Sequence, residues 1–314
     1  MPKNFFNKTK ILDGGMGQTL LARGMPAKGS LWSASALVDS QFHQLILDTH
    51  LDFIDAGANV IITTTFTTRR MRLMENNIIN QFEALNIKAG KIAMHAKQKR
   101  PHIMVAGGLP PQNLTYEADS RLKHKITKDF YSQAKLLDPY VDFFYLDVLS
   151  SIKEFECAIA AIESLNKPFL LGAHISEGRC LPSGERLSEL KSLVTHQNTI
   201  GVILACVSPE VGLKNLTELK SLQVPFGVKL NAFKTTSPDN GYNNQLKNCC
   251  PGNPNEILGK RQDLDPSTMA RYIQKFQDAG ATILGGCCET TPEHIKAITN
   301  LIIKKDHQKE TILK

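Results

Sequence analysis

No run of this 314-residue chain is apolar for long enough to cross a membrane, and the opening Met1-Pro2-Lys3-Asn4-Phe5-Phe6-Asn7-Lys8 has no apolar core of export length. The seven cysteines are odd in number and follow no framework spacing, which excludes a disulfide-stapled secreted scaffold. These absences predict a cytoplasmic protein whose thiols stay reduced and free to bind metal. No linker rich in proline, glycine or serine divides the sequence, so residues 1–314 read as one domain. A dinucleotide fingerprint is missing as well: Asp13-Gly14-Gly15-Met16-Gly17 has the wrong glycine spacing and no ribose-binding acid where one belongs. Basic aromatic recognition motifs are also absent. The net charge of +7 is dispersed, with clusters at residues 97–100 and in a short basic tail, 304–314, which read as a solvated helix end and a frayed terminus. Neither a nucleic-acid nor a membrane partner is expected. The positive balance is compatible with weak attraction of anionic small molecules.

What is present is an alternation. With 42% hydrophobic residues the chain can bury a large core, and short apolar runs alternate with longer amphipathic ones from end to end. Strands are expected near residues 11–12, 60–64, 103–106, 143–146, 169–172, 202–205, 226–230 and 282–284. Helices are expected over 42–56, 75–99, 126–137, 151–165, 187–194, 209–222, 266–279 and 291–303. Asp265-Pro266 and Thr291-Pro292 read as helix caps followed by proline in the first turn. Gly57 and Gly280 stand where a helix C-terminus requires a left-handed residue. Eight strand–helix units in this length fit an α/β (β/α)8 TIM barrel better than an open doubly wound sheet. Residues 231–264 form the longest irregular segment, too long for an ordinary βα connection and therefore expected to be a lid or substrate loop.

The chemistry concentrates in cysteine. An apolar run, Ala281-Thr282-Ile283-Leu284, leads into Gly285-Gly286-Cys287-Cys288-Glu289. Neighbouring side chains of a regular strand point to opposite faces, so two adjacent thiols converge only if the backbone leaves the extended state. The two glycines are expected to supply that freedom. A vicinal pair alone is weak evidence, because buried cysteine often packs as a small hydrophobe, and Cys249-Cys250 forms a second pair in a polar loop. Cys206 strengthens the case: it ends the run Ile200-Gly201-Val202-Ile203-Leu204-Ala205 and so falls on the same barrel rim. Three thiolates suit a single zinc ion with one open position, the arrangement of a catalytic rather than a structural site.

With Cys206, Cys287 and Cys288 in place, the chain resembles the homocysteine S-methyltransferase family, zinc-dependent thiol methyltransferases built on a (β/α)8 barrel. The strongest segment runs from Asp278 to Ile295 through Gly285-Gly286-Cys287-Cys288-Glu289-Thr290-Thr291-Pro292. Leu12-Asp13-Gly14-Gly15-Met16-Gly17, Trp32, Asp55-Ala56-Gly57-Ala58-Asn59-Val60-Ile61 and Thr63-Thr64-Thr65-Phe66 match in order before it. The resemblance implies that the same three cysteines hold the zinc, and no catalytic group beyond that site is expected. The implied substrates are small molecules, L-homocysteine and a methyl donor. The short stand-alone length resembles the branch that uses S-methylmethionine or S-adenosylmethionine, giving methionine.

The substrate residues implied are Asp13 and Gly14, in a turn whose amides suit a carboxylate, and Asp147, which stands where the family has a glutamate receiving the substrate ammonium. Trp32, Phe66 and Tyr145 are expected to face a cationic donor. Glu289 and His294 read as the start of the last helix. Two further departures separate the chain from the family: Ala205 replaces an asparagine before the first ligand, and Lys229 stands where relatives often have an aromatic residue. These departures keep two alternatives open: methyl transfer to another thiol, a selenol or from another donor, and a non-catalytic barrel that binds zinc or homocysteine.

Overall fold

In the computed structural model, which describes residues 2, 4–248 and 252–312, eight parallel strands alternate with helices. The strands are β1 (Lys10–Ile11), β2 (Val60–Ile62), β3 (Met104–Leu109), β4 (Phe143–Leu149), β5 (Phe169–Ala173), β6 (Thr199–Val207), β7 (Phe226–Leu230) and β8 (Ile283–Gly286). They form one sheet in the order β1-β8-β7-β6-β5-β4-β3-β2. A bridge between Leu12 and Val60 brings its two edges together, with Asp13 N–H donating to Val60 O at 3.0 Å and Asn59 N–H to Ile11 O at 2.7 Å. The result is a nearly closed (β/α)8 barrel, and every expected strand is present.

Alternation within the strands sorts the core into two layers. Phe144, Leu146, Val202, Leu204 and Leu284 face outward and pack under the helices. Phe143, Tyr145, Leu170, Ile203 and Ile283 fill the barrel interior. Gly57 and Gly280 take the left-handed conformation expected of helix ends, at φ 111° and 99°.

Several local expectations are revised. The helix expected over 75–99 is two, Arg70–Glu75 and Phe82–Lys99, separated where Asn77 adopts φ 57°, a conformation asparagine tolerates. A short helix, Met16–Ala22, follows β1; seven residues flanked by glycines carry too little periodicity to announce it. The segment 231–264 is not wholly irregular, since it contains helices Tyr242–Asn248 and Pro254–Leu258. The last helix, Pro292–Ile312, runs on through most of the basic tail. Cys249 and Cys250 lie outside the described residues. No described helix is long and apolar enough to cross a membrane.

Candidate metal centre and substrate cleft

At the C-terminal rim of the barrel, the Sγ atoms of Cys206, Cys287 and Cys288 lie within 4.8 Å of one another. Two different backbone devices bring them there. At the end of β6 the register against β7 shifts between Ala205 and Val207, and Cys206 adopts φ 56°. This bulge adds a residue to one strand, so both Ala205 and Cys206 point into the barrel.

At the end of β8 the turn is made downstream of the glycines. Thr290 donates twice to Cys287 O, from N–H at 3.2 Å and from Oγ1 at 2.6 Å, and Glu289 takes φ 65°. The role expected of Gly285 and Gly286 is therefore corrected: neither has positive φ, and both lie in the strand or at its end. They are needed for close approach. A Cβ on Gly286 would collide with the Thr290 side chain, and one on Gly285 would come within 2.8 Å of Leu12 Cβ. Glu289 is not part of the last helix either; it is buried and pairs with Lys260 at 3.0 Å. His294 does belong to the helix start, and its Nε2 lies 3.1 Å from Leu264 O.

Cys206 is the most elaborately supported of the three cysteines. Its sulfur lies 3.8 Å from Cys288 Sγ and 3.3 Å from the Tyr116 hydroxyl, and Asn231 Nδ2 donates to it at 3.6 Å and to its carbonyl at 2.7 Å. Burial opposes ionisation of Cys206, but hydrogen bonds from Cys287, Cys288 and Tyr116 more than offset it, and its thiol falls well below the usual range. Hydrogen bonding to Cys206 pushes the Cys287 and Cys288 thiols up. Burial, reinforced by the neighbouring cysteines, pushes the Tyr116 phenol well above its usual range. His174 stacks on Tyr116 at 4.4 Å between centroids and meets Ala205 O through Nδ1 at 3.1 Å. The polar support absent at Ala205 is thus supplied by Asn231. Sequence reading missed Tyr116, His174 and Asn231, which sit in loops or at strand ends without periodic signal; only their polarity beside apolar runs marks them.

The sulfurs open onto a cleft that also contains Asp13, Gly14, Asp147, Trp32, Phe66 and Lys229. Asp13 is buried, accepting from Ile62 N–H at 2.8 Å and from Lys229 Nζ at 3.0 Å. Burial disfavours the Lys229 ammonium, yet Asp13, Cys287 and Asp147 outweigh it and raise its pKa. Lys229 therefore stays charged and points at Asp13. The β4 end is bulged as well, between Leu146 and Leu149, with Val148 at φ 63°. Burial pushes the Asp147 carboxyl up to about 7 against the opposing pull of Lys229 and the Tyr145 hydroxyl. Tyr145 itself is fully buried beneath the cleft and does not line it.

Trp32 and Phe66 form the aromatic wall, edge to face at 6.0 Å. Trp32 takes φ 45°, and its Nε1 donates to Gln18 Oε1 at 2.5 Å; Gln18 Nε2 in turn donates to Asn255 Oδ1 at 2.8 Å. Phe233, Tyr242 and Leu258 of the inserted segment close the far side. Asn243 anchors that segment, accepting from Arg72 Nη2 at 3.0 Å and donating to Thr115 O at 2.8 Å.

A (β/α)8 barrel with three convergent thiols beside a cleft defines a class of barrel enzyme with a cysteine cluster able to hold a metal ion. The chain belongs to the homocysteine S-methyltransferase family, whose sequence model matches residues 10–302. It is similar to homocysteine S-methyltransferase 1 of Saccharomyces cerevisiae, 24% identical with 95% of each chain covered, and to the homocysteine S-methyltransferase of Escherichia coli, 24% identical over 92% of this chain and 93% of that one. Selenocysteine methyltransferase of Astragalus bisulcatus is 22% identical over 94% of this chain and 93% of its own length. The metallated form of the Escherichia coli homocysteine methyltransferase MmuM has the same fold, with a TM-score of 0.73 at 23% identity over 93% of this chain and 96% of that one. Family membership makes this chain a methyltransferase, which sets aside the non-catalytic barrel.

Proposed function

We propose that the chain transfers a methyl group from a sulfonium donor, S-methylmethionine or S-adenosylmethionine, to the sulfur of L-homocysteine, with one zinc ion held by Cys206, Cys287 and Cys288. The observation that carries this reading is the approach of three sulfurs to within 4.8 Å beside a cleft lined by Asp13 and Asp147. The donor set fits the metal. Tetrahedral zinc with sulfur ligands at about 2.3 Å has sulfur–sulfur edges of about 3.8 Å, and Cys206 and Cys288 already stand 3.8 Å apart. When bound, zinc keeps an incoming thiol deprotonated, and so nucleophilic, at neutral pH.

The side chains do the rest. Asp147 accepts the substrate ammonium, and Gly14 lines the cleft beside the amino-acid end of the acceptor. Trp32 and Phe66 present ring faces to the donor's sulfonium, an attraction of about 0.5–2 kcal/mol. Phe233 and Leu258 exclude water. In the transfer, the acceptor loses its thiol proton to solvent, its sulfur bonds the methyl carbon, and the donor's carbon–sulfur bond breaks to leave a neutral thioether. Holding the two reactants in line supplies much of the rate. The selenocysteine methyltransferase among the relatives favours a selenol acceptor as a second reading.

The test is a donor panel with homocysteine, read as methionine formed, on reduced protein whose zinc is measured at about one ion per chain. Methionine formation with neither sulfonium donor would overturn the donor assignment. Full activity in metal-free protein would overturn the zinc.

A further inference from the structure

Lys229 has a place in the cleft that neutralising Asp13 does not exhaust. Its side chain, 6% exposed, reaches from β7 to Asp13 at 3.0 Å, and it lines the same cleft as Asp147 and the three sulfurs. An ammonium carries three N–H donors; Asp13 Oδ1 takes one, while Asp13 Oδ2 is already occupied by Ile62 N–H at 2.8 Å. Burying a lysine for one hydrogen bond is costly, and a smaller neutral pair would close the barrel as well. Asp147 and Lys229 together offer the cleft one carboxylate and one cation. The acceptor has the complementary pattern, because the ammonium and carboxylate of an amino acid leave the same carbon atom.

We infer that Lys229 reads the α-carboxylate of the amino-acid thiol while Asp147 reads its ammonium, so that the pair selects a zwitterionic acceptor. This rests on the acceptor assignment above. Charges near Lys229 support it: Asp13, Cys287 and Asp147 keep the ammonium protonated. The residue is specificity-determining, and it takes no part in the bond changes.

The test is equilibrium binding to zinc-loaded protein by calorimetry, which needs no turnover. Three probes are compared: L-homocysteine, a mercaptopropylamine that lacks the carboxylate, and a mercaptobutyrate that lacks the ammonium. The native protein is expected to prefer homocysteine to each. Lys229→Met should erase the preference over the amine by roughly ten- to a hundred-fold, the worth of a hydrogen bond to a charged group, and leave the preference over the butyrate. Lys229→Arg should restore part of it. Because Lys229→Met strands the Asp13 charge, an Asp13→Asn/Lys229→Met double variant is measured alongside, with the same expected loss. If the substitutions weaken all three probes equally, or none, Lys229 serves Asp13 alone and the inference fails. A protein that shows this selectivity but forms no methionine would instead count against the proposed reaction.

Discussion

The ends of β4 and β6 use the same backbone device for different chemistry. Each strand carries a one-residue bulge with a non-glycine residue at positive φ, Val148 at 63° and Cys206 at 56°, which turns two consecutive side chains into the barrel mouth. At β6 the left-handed residue is itself the proposed ligand, and Tyr116, Asn231 and Cys288 surround its sulfur from three sides. At β4 the left-handed residue is an apolar valine packed in the barrel interior, and the Asp147 carboxylate that lines the cleft precedes it. A β-branched residue at positive φ is strained by roughly 1–3 kcal/mol. The β6 end is assembled before any substrate arrives. At the β4 end, burial pushes the Asp147 carboxyl up to about 7 against the pull of Lys229, and on the proposed function a substrate cation would pair with it. On the proposed function, the metal end is preorganised and the substrate end is completed by binding.

Substitution at the two ends should separate these roles. Cys206→Ser is expected to remove zinc and to lower activity by more than about 100-fold, since losing even a residue that supports a ligand costs 10–100-fold. Retention of stoichiometric zinc by that variant, measured by metal analysis, would erase the distinction. Asp147→Asn should keep its zinc and weaken homocysteine binding by roughly ten- to a hundred-fold, as a charged contact becomes neutral; calorimetry with homocysteine measures the loss, and zinc analysis tells it from damage to the metal site.

Asn231→Ala sharpens the account of β6. Removing the donor to Cys206 should weaken zinc affinity by about 10–100-fold, read by competition with a chelator. Unchanged affinity would mean that Tyr116 alone supports the sulfur.

Glu154 tests the β4 side through stability. It lies in the helix Ile152–Ile162 and is fully buried; it accepts from Ser151 Oγ at 2.8 Å, while its Oε1 has no partner. Burial pushes its carboxyl up from 4.5 to about 7. The folded state therefore holds this proton more tightly than the unfolded chain, and stability should fall as pH rises between those values, by up to about 3 kcal/mol. Glu154→Gln should flatten that slope in urea unfolding followed across the range. An unaltered slope would assign it to another group.

The smallest effect expected is at Gln18. Trp32 is the chain's only tryptophan, so its fluorescence reports directly on the link from Trp32 through Gln18 to Asn255. Gln18→Leu should shift the emission and raise the donor KM by about 2–12-fold, the worth of one neutral hydrogen bond, with zinc content unchanged. Identical emission in the variant would show that packing alone, on Gly17 and against Phe66, positions the ring.

Much of this was legible in the chain. Alternating apolar runs dictated eight strands and the barrel, because each strand is short, buried on both faces and followed by an amphipathic run. The clustering of Cys206, Cys287 and Cys288 was legible because they sit immediately after such runs, where a barrel gathers functional groups. Trp32, Phe66 and Asp147, which the family resemblance implied, line the cleft. Tyr116, His174 and Asn231 were not legible, since Tyr116 and Asn231 reach Cys206, and His174 reaches Ala205 O, from three different elements at sequence distances that no local pattern encodes. The function expected of Gly285 and Gly286 was misjudged because glycine's two uses, conformational freedom and close approach, look identical in a sequence.

The sequence by itself determined which residue types the protein would spend on its rim and how many strands would carry them, because both follow from local composition and period. Only the tertiary structure decided that Cys206 and Asp147 stand beside bulges, that Asn231 supplies the support missing at Ala205, and that Lys229 is drawn to Asp13. Bulges, buried ion pairs and hydrogen bonds between strands distant in the chain depend on register and closure. Those are fixed only when all eight strands pack together.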